Sequence, residues 1–306
     1  AGTYCQSIVI KCAEMTTPLA IAFTPNYIVP AAAMLRSLLD SSTGGFRVVC
    51  LVTEEIPRDM QEALLRLGGG RLEMQYIPLR GRLEGIYVDP RYTEAASFRL
   101  LLPELLPEFD KILYLDCDII VRQDMGRLYA ETDLADNYLA AVYEAPIEGQ
   151  AARIEALGCT PGEYFNSGML LMNLRRMRQE KVSTRLLEAC RVPYLEFPDQ
   201  DALNQVCRGR VLPLSPLYNS IRTFFLPRYR ADFEALYGPA LWPEVQSRAN
   251  IHYTGGKPWN IHSVQFLPWW QVHDSLPQEI KALWKAPSRL WRTEGVVKDA
   301  LRKLKR

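Results

Sequence analysis

The chain has 306 residues, of which 48% are hydrophobic and 23% charged, and its formal net charge is +1. This is the composition of a folded globular protein, and so balanced a charge offers no global field for nucleic acid. No run approaches the ~18–20 consecutive apolar residues of a membrane span, and the first residues lack the charged and apolar segments of a secretory signal.

Residues 1–14 read as a leader, with Met15 a candidate natural start. An apolar strand Leu19–Phe23 then runs into Thr24-Pro25-Asn26-Tyr27. Met34, Leu35, Leu38 and Leu39 fall on a 3.6-residue repeat and predict a helix. A strand over Val48–Val52, a helix through Met60, Leu64, Leu65 and Leu67, a Gly68-Gly69-Gly70 stop and a strand Leu72–Ile77 follow. Strands alternating with amphipathic helices imply parallel βαβ units, hence an α/β sheet flanked by helices. A helix is expected over Thr93–Leu106, carrying Arg99, before the strand Ile112–Leu115. Beyond Asp118 the rhythm loosens: strands are expected at Asn137–Val142 and Met169–Leu174, and helices at Arg175–Arg191 and Asp199–Arg208. No linker or internal repeat divides the chain. It reads as one catalytic unit over 15–265, nucleotide-binding to about Val121 and acceptor-binding after it, with an aromatic and basic tail over 266–306.

The seven cysteines (Cys5, Cys12, Cys50, Cys117, Cys159, Cys190 and Cys207) form no C-x-x-C pair, and most sit in apolar runs. Buried free thiols in a reducing, cytoplasmic compartment fit that usage.

Four segments carry chemistry. Asp116 and Asp118 close the apolar strand Ile112–Leu115, where an open parallel sheet binds its ligands. Two acids there are costly unless a divalent cation lies between them; a solvated strand end is the plainer reading. The segment His252-Tyr253-Thr254-Gly255-Gly256-Lys257-Pro258-Trp259 adds an imidazole, two glycines and a cation. Glycines let a backbone approach phosphate closely, and lysine contacts it as a point charge. One imidazole with two carboxylates suits Mn2+, or Mg2+, better than zinc. Phe165-Asn166-Ser167-Gly168 precedes a strand, and Asp199-Gln200-Asp201 opens a helix. Asp199 could be only a helix-terminal acid; alternatively Asn166, Asp199 and Gln200 hydrogen-bond sugar hydroxyls.

Together these segments resemble the family-8 glycosyltransferases, the family of glycogenin and the bacterial lipopolysaccharide galactosyl- and glucosyltransferases. The likeness runs from Leu19 to about Trp259 and keeps the order of motifs. Thr24-Pro25-Asn26-Tyr27 is similar to the family's first-strand turn, Arg99 to the arginine ahead of its D-x-D, and Asp116 and Asp118 to the D-x-D itself. Asn166 falls in its F-N-[SA]-G, Asp199 and Gln200 in its D-Q-D, and His252, Gly255 and Lys257 in its H-x-x-G…K-P-W. The resemblance implies a GT-A fold, Mn2+ held by Asp116, Asp118 and His252, and a UDP-hexose donor transferred with retention to a glycan or glycolipid. It implies donor contacts from Ala22, Thr24, Asn26, Tyr27, Arg99, Asp116, Cys117, Asn166, Gly255 and Lys257, and catalytic roles for Asp199 and Gln200. A service in lipopolysaccharide or surface-glycan synthesis follows from the same likeness.

Three departures stand out. Thr24 replaces an acid of the galactosyltransferase pattern, the loop from Gly255 to Lys257 is one residue shorter, and the acceptor-binding acid of that pattern falls only near Tyr143-Glu144, so acceptor choice does not carry over. Retention by double displacement would need a carboxylate such as Asp199, whereas front-side attack by the acceptor needs no nucleophile from the enzyme and is the expected route. Two rivals stay open on the residues alone. One is an aspartyl-phosphate-type phosphatase, in which Asp199 and Asp201 imitate the later acid pair; the other is a catalytically silent sugar-nucleotide or glycan-binding protein. In the tail, Val296, Val297, Ala300, Leu301 and Leu304 recur at helical spacing among Arg289, Arg292, Lys298, Arg302, Lys303, Lys305 and Arg306. Such a segment is either a solvated terminal helix or a peripheral contact with the inner face of the cytoplasmic membrane. The six tryptophans all fall between Trp242 and Trp291; those near Trp259–Trp270 could stack on sugars, with core packing the plainer reading.

Overall fold

The computed structural model describes residues 16–83, 85–89, 93–193 and 195–304. The leader over 1–14, Met15, Cys5, Cys12, Lys305 and Arg306 lie outside the described residues.

The chain runs β1 (Thr17–Phe23), α1 (Ile28–Ser41), β2 (Phe46–Val52), α2 (Arg58–Arg66), β3 (Leu72–Pro78), α3 (Leu102–Leu105), β4 (Ile112–Leu115), β5 (Ile119–Ile120) and α4 (Met125–Glu131). It continues through β6 (Leu139–Ala141), α5 (Ala151–Ala156), β7 (Met169–Met172), α6 (Leu174–Gln179), α7 (Val182–Ala189), α8 (Pro198–Cys207) and β8 (Val211–Pro213). The last part is α9 (Arg230–Tyr237), α10 (Leu241–Arg248), β9 (Ile251–His252), α11 (Phe266–Ser275), α12 (Gln278–Lys281) and α13 (Arg289–Leu304).

Seven strands form one sheet in the order β3-β2-β1-β4-β7-β6-β8. The first four strands of the chain are mutually parallel, as the βαβ pattern predicts. β7 pairs antiparallel with both β4 and β6, so the sheet is mixed. Period-two burial sorts the strand residues between two apolar layers: Leu19, Ile21 and Phe23 pack with α1, while Ala20, Val49 and Leu51 pack with Phe98, Leu102 and Leu203. Because β1 is flanked by β2 on one side and β4 on the other, the connections reverse direction there, which places a crevice at the carboxyl ends of β1 and β4. A separate two-stranded pair, β5 with β9, lies just beyond it, with Ile119 opposite His252.

Two expected helices differ. Residues 94–101 wind as a 3-10 helix before α3; the Arg99 Nε takes the Ala96 carbonyl at 2.7 Å, and Pro103 has no N–H to give. The helix expected over 175–191 is broken into α6 and α7 at Lys181, which adopts φ +51°. Cys50, Cys117, Cys159, Cys190 and Cys207 are free and buried, as their apolar surroundings predict.

Candidate active site at the carboxyl ends of β1 and β4

The strand β4 delivers Asp116 and Asp118, and the chain then turns into β5. Pairing of β5 with β9 carries His252 onto the two acids, and the Tyr253 N–H donates to the Asp118 carbonyl at 3.1 Å. One ligand atom from each of Asp116, Asp118 and His252 lies within 4.8 Å of the others. Each carboxylate is pinned by one oxygen and turns the other inward. Asp116 Oδ1 accepts from Arg99 Nη2 and from the Tyr114 hydroxyl, both at 2.9 Å, while Oδ2 lies 3.7 Å from His252 Nε2. Asp118 Oδ2 accepts from Lys257. Asp118 Oδ1 is buried without a hydrogen-bond partner, 3.3 Å from His252 Nε2. An orphaned buried carboxylate oxygen converging with a ring nitrogen and a second carboxylate is a donor set that could hold a divalent cation. Gly168 completes the cradle: a Cβ there would meet His252 Cε1 at 2.1 Å and Asp116 Oδ2 at 2.8 Å, so only glycine lets the three ligands converge. Burial works against the charged form of Asp118, but Lys257 and then His252 outweigh it and hold that carboxyl well below its usual range.

A second cluster adjoins the first. Arg99, 3% exposed, lies between Asp116 and Asp199, its Nε 3.2 Å from Asp199 Oδ2, and stacks over the Tyr114 ring at 4.4 Å. Burial dominates at Asp199 and raises its carboxyl above the ordinary value, against the opposing pull of Arg99. Asp199 Oδ2 also accepts from the Ser167 hydroxyl at 3.2 Å. All four hydrogen-bonding positions of the Gln200 amide are used. Its Oε1 accepts from Asn166 Nδ2 at 3.1 Å and from the Ser167 N–H at 3.0 Å, while its Nε2 donates to Glu144 Oε1 and to the Tyr164 hydroxyl, each at 3.1 Å. Asn166 Nδ2 donates to the same Glu144 oxygen at 3.1 Å. Burial raises the Glu144 carboxyl, and the two amides oppose that rise.

Asp116, Asp118, His252, Lys257, Arg99, Asp199, Gln200 and Asn166 thus form one connected polar network. The remaining expected donor contacts lie on its rim. The Cys117 thiol packs on the Ala22 carbonyl at 3.6 Å; the Thr24 hydroxyl donates to Asn26 Oδ1. Tyr27 sits at the mouth, edge-on to Trp259 at 5.8 Å. Gly255, at φ +78°, supplies a left-handed turn just before Lys257. Asp201, the acid a phosphatase reading would use, is fully buried: it is paired with Arg153 at 2.8 Å and accepts from the Tyr164 hydroxyl. Sequence reasoning missed Tyr114, Tyr164 and Asn219 as partners of these groups. No motif marks them; only strand pairing and helix packing bring them in.

With that geometry in place, comparisons with known proteins agree on one family. The model described as glycosyl transferase family 8 matches residues 18–262. General stress protein A of Bacillus subtilis is 30% identical over 180 residues, 56% of this chain and 61% of that protein. Lipopolysaccharide 1,2-glucosyltransferase of Escherichia coli K12 is 28% identical over 179 residues, covering 55% of this chain and 50% of the relative. The alignments therefore span about half to three-fifths of those relatives. The crystal structure of galactosyltransferase LgtC in complex with donor and acceptor sugar analogs superposes with a TM-score of 0.71 at 26% identity, over 88% of this chain and 100% of that one. The fold is GT-A.

Proposed function

The chain belongs to glycosyl transferase family 8, and on that premise we propose that it transfers a hexose from a UDP-sugar to a glycan or glycolipid acceptor, with retention at the anomeric carbon and a divalent metal. The observation that carries the reading is the Asp116–Asp118–His252 cradle at the β1/β4 crevice, with Lys257 on its rim. These residues would hold Mn2+, or Mg2+, whose charge offsets that of a departing diphosphate. Lys257 is placed to move from Asp118 onto that diphosphate and share its charge. Thr24, Asn26 and Tyr27 would hold the nucleoside, flanked by Ala22 and Cys117, with Gly255 giving backbone access. Arg99 lies between Asp116 and Asp199 and pairs with both, and Asn166, Asp199 and Gln200 would orient the sugar.

The state of Asp199 and Gln200 supports front-side attack over double displacement. Asp199 Oδ2 is held by Arg99 and Ser167, and the amide of Gln200 is committed on both ends. Gln200, a neutral amide so engaged, is no nucleophile, and the pairing with Arg99 draws charge from Asp199. The burial of Asp201 in its pair with Arg153 removes the second acid that a phosphatase would need. The relatives' names, a lipopolysaccharide glucosyltransferase and a galactosyltransferase, favour glucose or galactose as the transferred sugar and a surface glycan as acceptor.

Among the described residues no helix is long and apolar enough to cross a membrane. Along α13, Leu290, Val297, Leu301 and Leu304 are 81, 52, 53 and 76% exposed, whereas Val296 turns inward. That exposed row beside lysines and arginines supports a peripheral contact with anionic lipid, read out by cosedimentation with phosphatidylglycerol vesicles.

The test of the central reading is UDP release from a panel of UDP-sugars, with and without Mn2+, for the wild type and Asp118→Ala. Metal-dependent release from one UDP-hexose, reduced about 100- to 1000-fold in Asp118→Ala, is the expected outcome. No release and no binding of any UDP-sugar would overturn the reading; binding without release would favour the silent sugar-nucleotide binder.

A further inference from the structure

A metal-binding imidazole must present a bare nitrogen to the metal, and the hydrogen bond made by its other nitrogen decides which one is bare. In this protein that bond goes to a residue no motif contains. His252 Nδ1 lies 3.0 Å from Asn219 Oδ1, and Asn219 is fully buried. Asn219 stands at the end of a 3-10 turn over Pro216–Tyr218, one residue before Ser220 bridges to Ile251 of β9.

An amide beside an imidazole does not by itself fix a tautomer, because the amide can turn over. Here it cannot. Asn219 Nδ2 donates to Asn166 Oδ1 at 3.0 Å. That same oxygen accepts from the Gly168 N–H at 3.0 Å, a group that can only donate. Turning Asn166 over would set its NH2 against the Gly168 N–H and its oxygen against Glu144 Oε1 and Gln200 Oε1. Gln200 is locked in turn: its Oε1 faces the Ser167 N–H, and its NH2 faces Tyr164, whose own proton goes to Asp201. The bonds therefore run in one direction, from His252 through Asn219, Asn166, Gln200 and Tyr164 to the Asp201 carboxylate.

We propose that Asn219 is the positioning residue of the metal centre: through this one-way chain it forces His252 to carry its proton on Nδ1 and to turn a bare Nε2 toward Asp116 and Asp118. The inference rests on the reading of Asp116, Asp118 and His252 as metal ligands. It goes beyond that reading in joining the sugar-side amides to the metal-side imidazole through a residue outside every motif. Reversal of any link would put a proton on Nε2, where the cation has to bind. Ordinary cation affinity and the orientation of the sugar-side amides are thus set by the same chain of dipoles.

The test needs no sugar. Mn2+ titrations followed by electron paramagnetic resonance compare the wild type with Asn219→Leu, which keeps the volume but accepts no hydrogen bond, and with Asn219→Asp, whose carboxylate still accepts from Nδ1. Asn219→Leu is expected to bind Mn2+ about 10- to 100-fold more weakly, whereas Asn219→Asp, which keeps the acceptor for Nδ1 and loses only the donor to Asn166, is expected to lose far less. A merely structural role would weaken both to the same degree. Thermal denaturation verifies that each variant is folded. In parallel, long-range 1H–15N spectra of the wild type, which has only three histidines, report the His252 ring directly; a protonated Nδ1 is expected. Equal Mn2+ affinity in Asn219→Leu, or a bare Nδ1 in the wild type, overturns the proposal. Failure of the wild type to bind Mn2+ at all overturns the metal reading instead, so the two failures are told apart.

Discussion

The crevice at β1 and β4 and the aromatic wedge built by α11 and α13 are both deeply buried, yet they are opposites in physical terms. The crevice buries Arg99, Asp118, Asp199, Asn166, Gln200 and His252, groups that lose hydration on folding and recover it only through mutual bonds. The wedge buries rings. Trp269 packs on Trp259 at 4.9 Å, on Trp270 at 4.8 Å and on Trp284 at 5.7 Å, and Trp291 packs on Phe266 at 5.5 Å. Even its charges serve packing: Arg292 lies over Trp270 at 4.1 Å, and Asp299 accepts from the N–H groups of Gln265 and Phe266 at the start of α11. Function is bought with stability in the first region and stability is recovered in the second.

That division can be broken most sharply at Trp269, 1% exposed and packed on Trp259, whose ring in turn meets Tyr27. Trp269→Ala is expected to cost about 3–5 kcal/mol of stability, as large-to-small changes in aromatic cores do. Chemical denaturation measures that loss, and Mn2+ affinity of the folded protein is expected to stay at the wild-type value. A fall in Mn2+ affinity at temperatures where Trp269→Ala is still folded would show that the wedge also shapes the crevice, and the comparison would fail.

The two regions were also unequally legible from sequence. The crevice announces itself because its chemistry demands particular residue types at fixed spacing: Asp116 and Asp118 at a strand end, His252 ahead of glycine and lysine, Asn166 before a strand. What could not be read is which partner each one takes. Asp199, at the start of α8, meets Arg99 from a 3-10 segment where a helix over Thr93–Leu106 is expected, and no local signal pairs the two. Asn219 reaches His252 only through the bridge to β9, a contact between segments with no local signature. The early parallel strands were plain from alternation. β7 and β6 were visible as strands, but their antiparallel placement depends on sheet pairing, which a single strand does not encode. In the wedge the tryptophans were visible as composition alone. The tail's helical spacing was readable, but not which apolar residues turn inward: α13 docks through Trp291 and Val296 and leaves Leu301 and Leu304 outside.

That outward row offers the next largest effect. Leu290 and Leu301 contribute nothing to the folded core, so Leu290→Ser and Leu301→Ser are expected to leave stability within about 0.5 kcal/mol of the wild type. Burial of a leucine in a lipid interface is worth about 1.5–3 kcal/mol, so each change is expected to weaken binding to phosphatidylglycerol vesicles roughly tenfold or more. Unchanged cosedimentation of the double variant would remove the membrane contact and leave α13 a packing element with an ordinary solvated face.

The smallest effect belongs to the crevice, and it tests the claim that charge is held there at a cost. Burial raises the Glu144 carboxyl above its ordinary value, against the opposing hydrogen bonds from Asn166 and Gln200. In the unfolded chain the same group titrates near the usual ~4.3. Between that value and the raised one, the folded chain keeps a proton that the unfolded chain has released. The unfolded state then binds fewer protons, so this group makes stability fall as pH rises through that window and level off above it. Glu144→Gln keeps an oxygen that accepts from both amides but does not titrate. Its stability, measured by denaturation at a series of pH values, is expected to lack that decline and to exceed the wild type's above the window. A decline of the same size in Glu144→Gln would assign the titration to another group and leave Glu144 a neutral spectator. Its loss would show that the acid beside Gln200 is kept in the crevice against the interest of the fold.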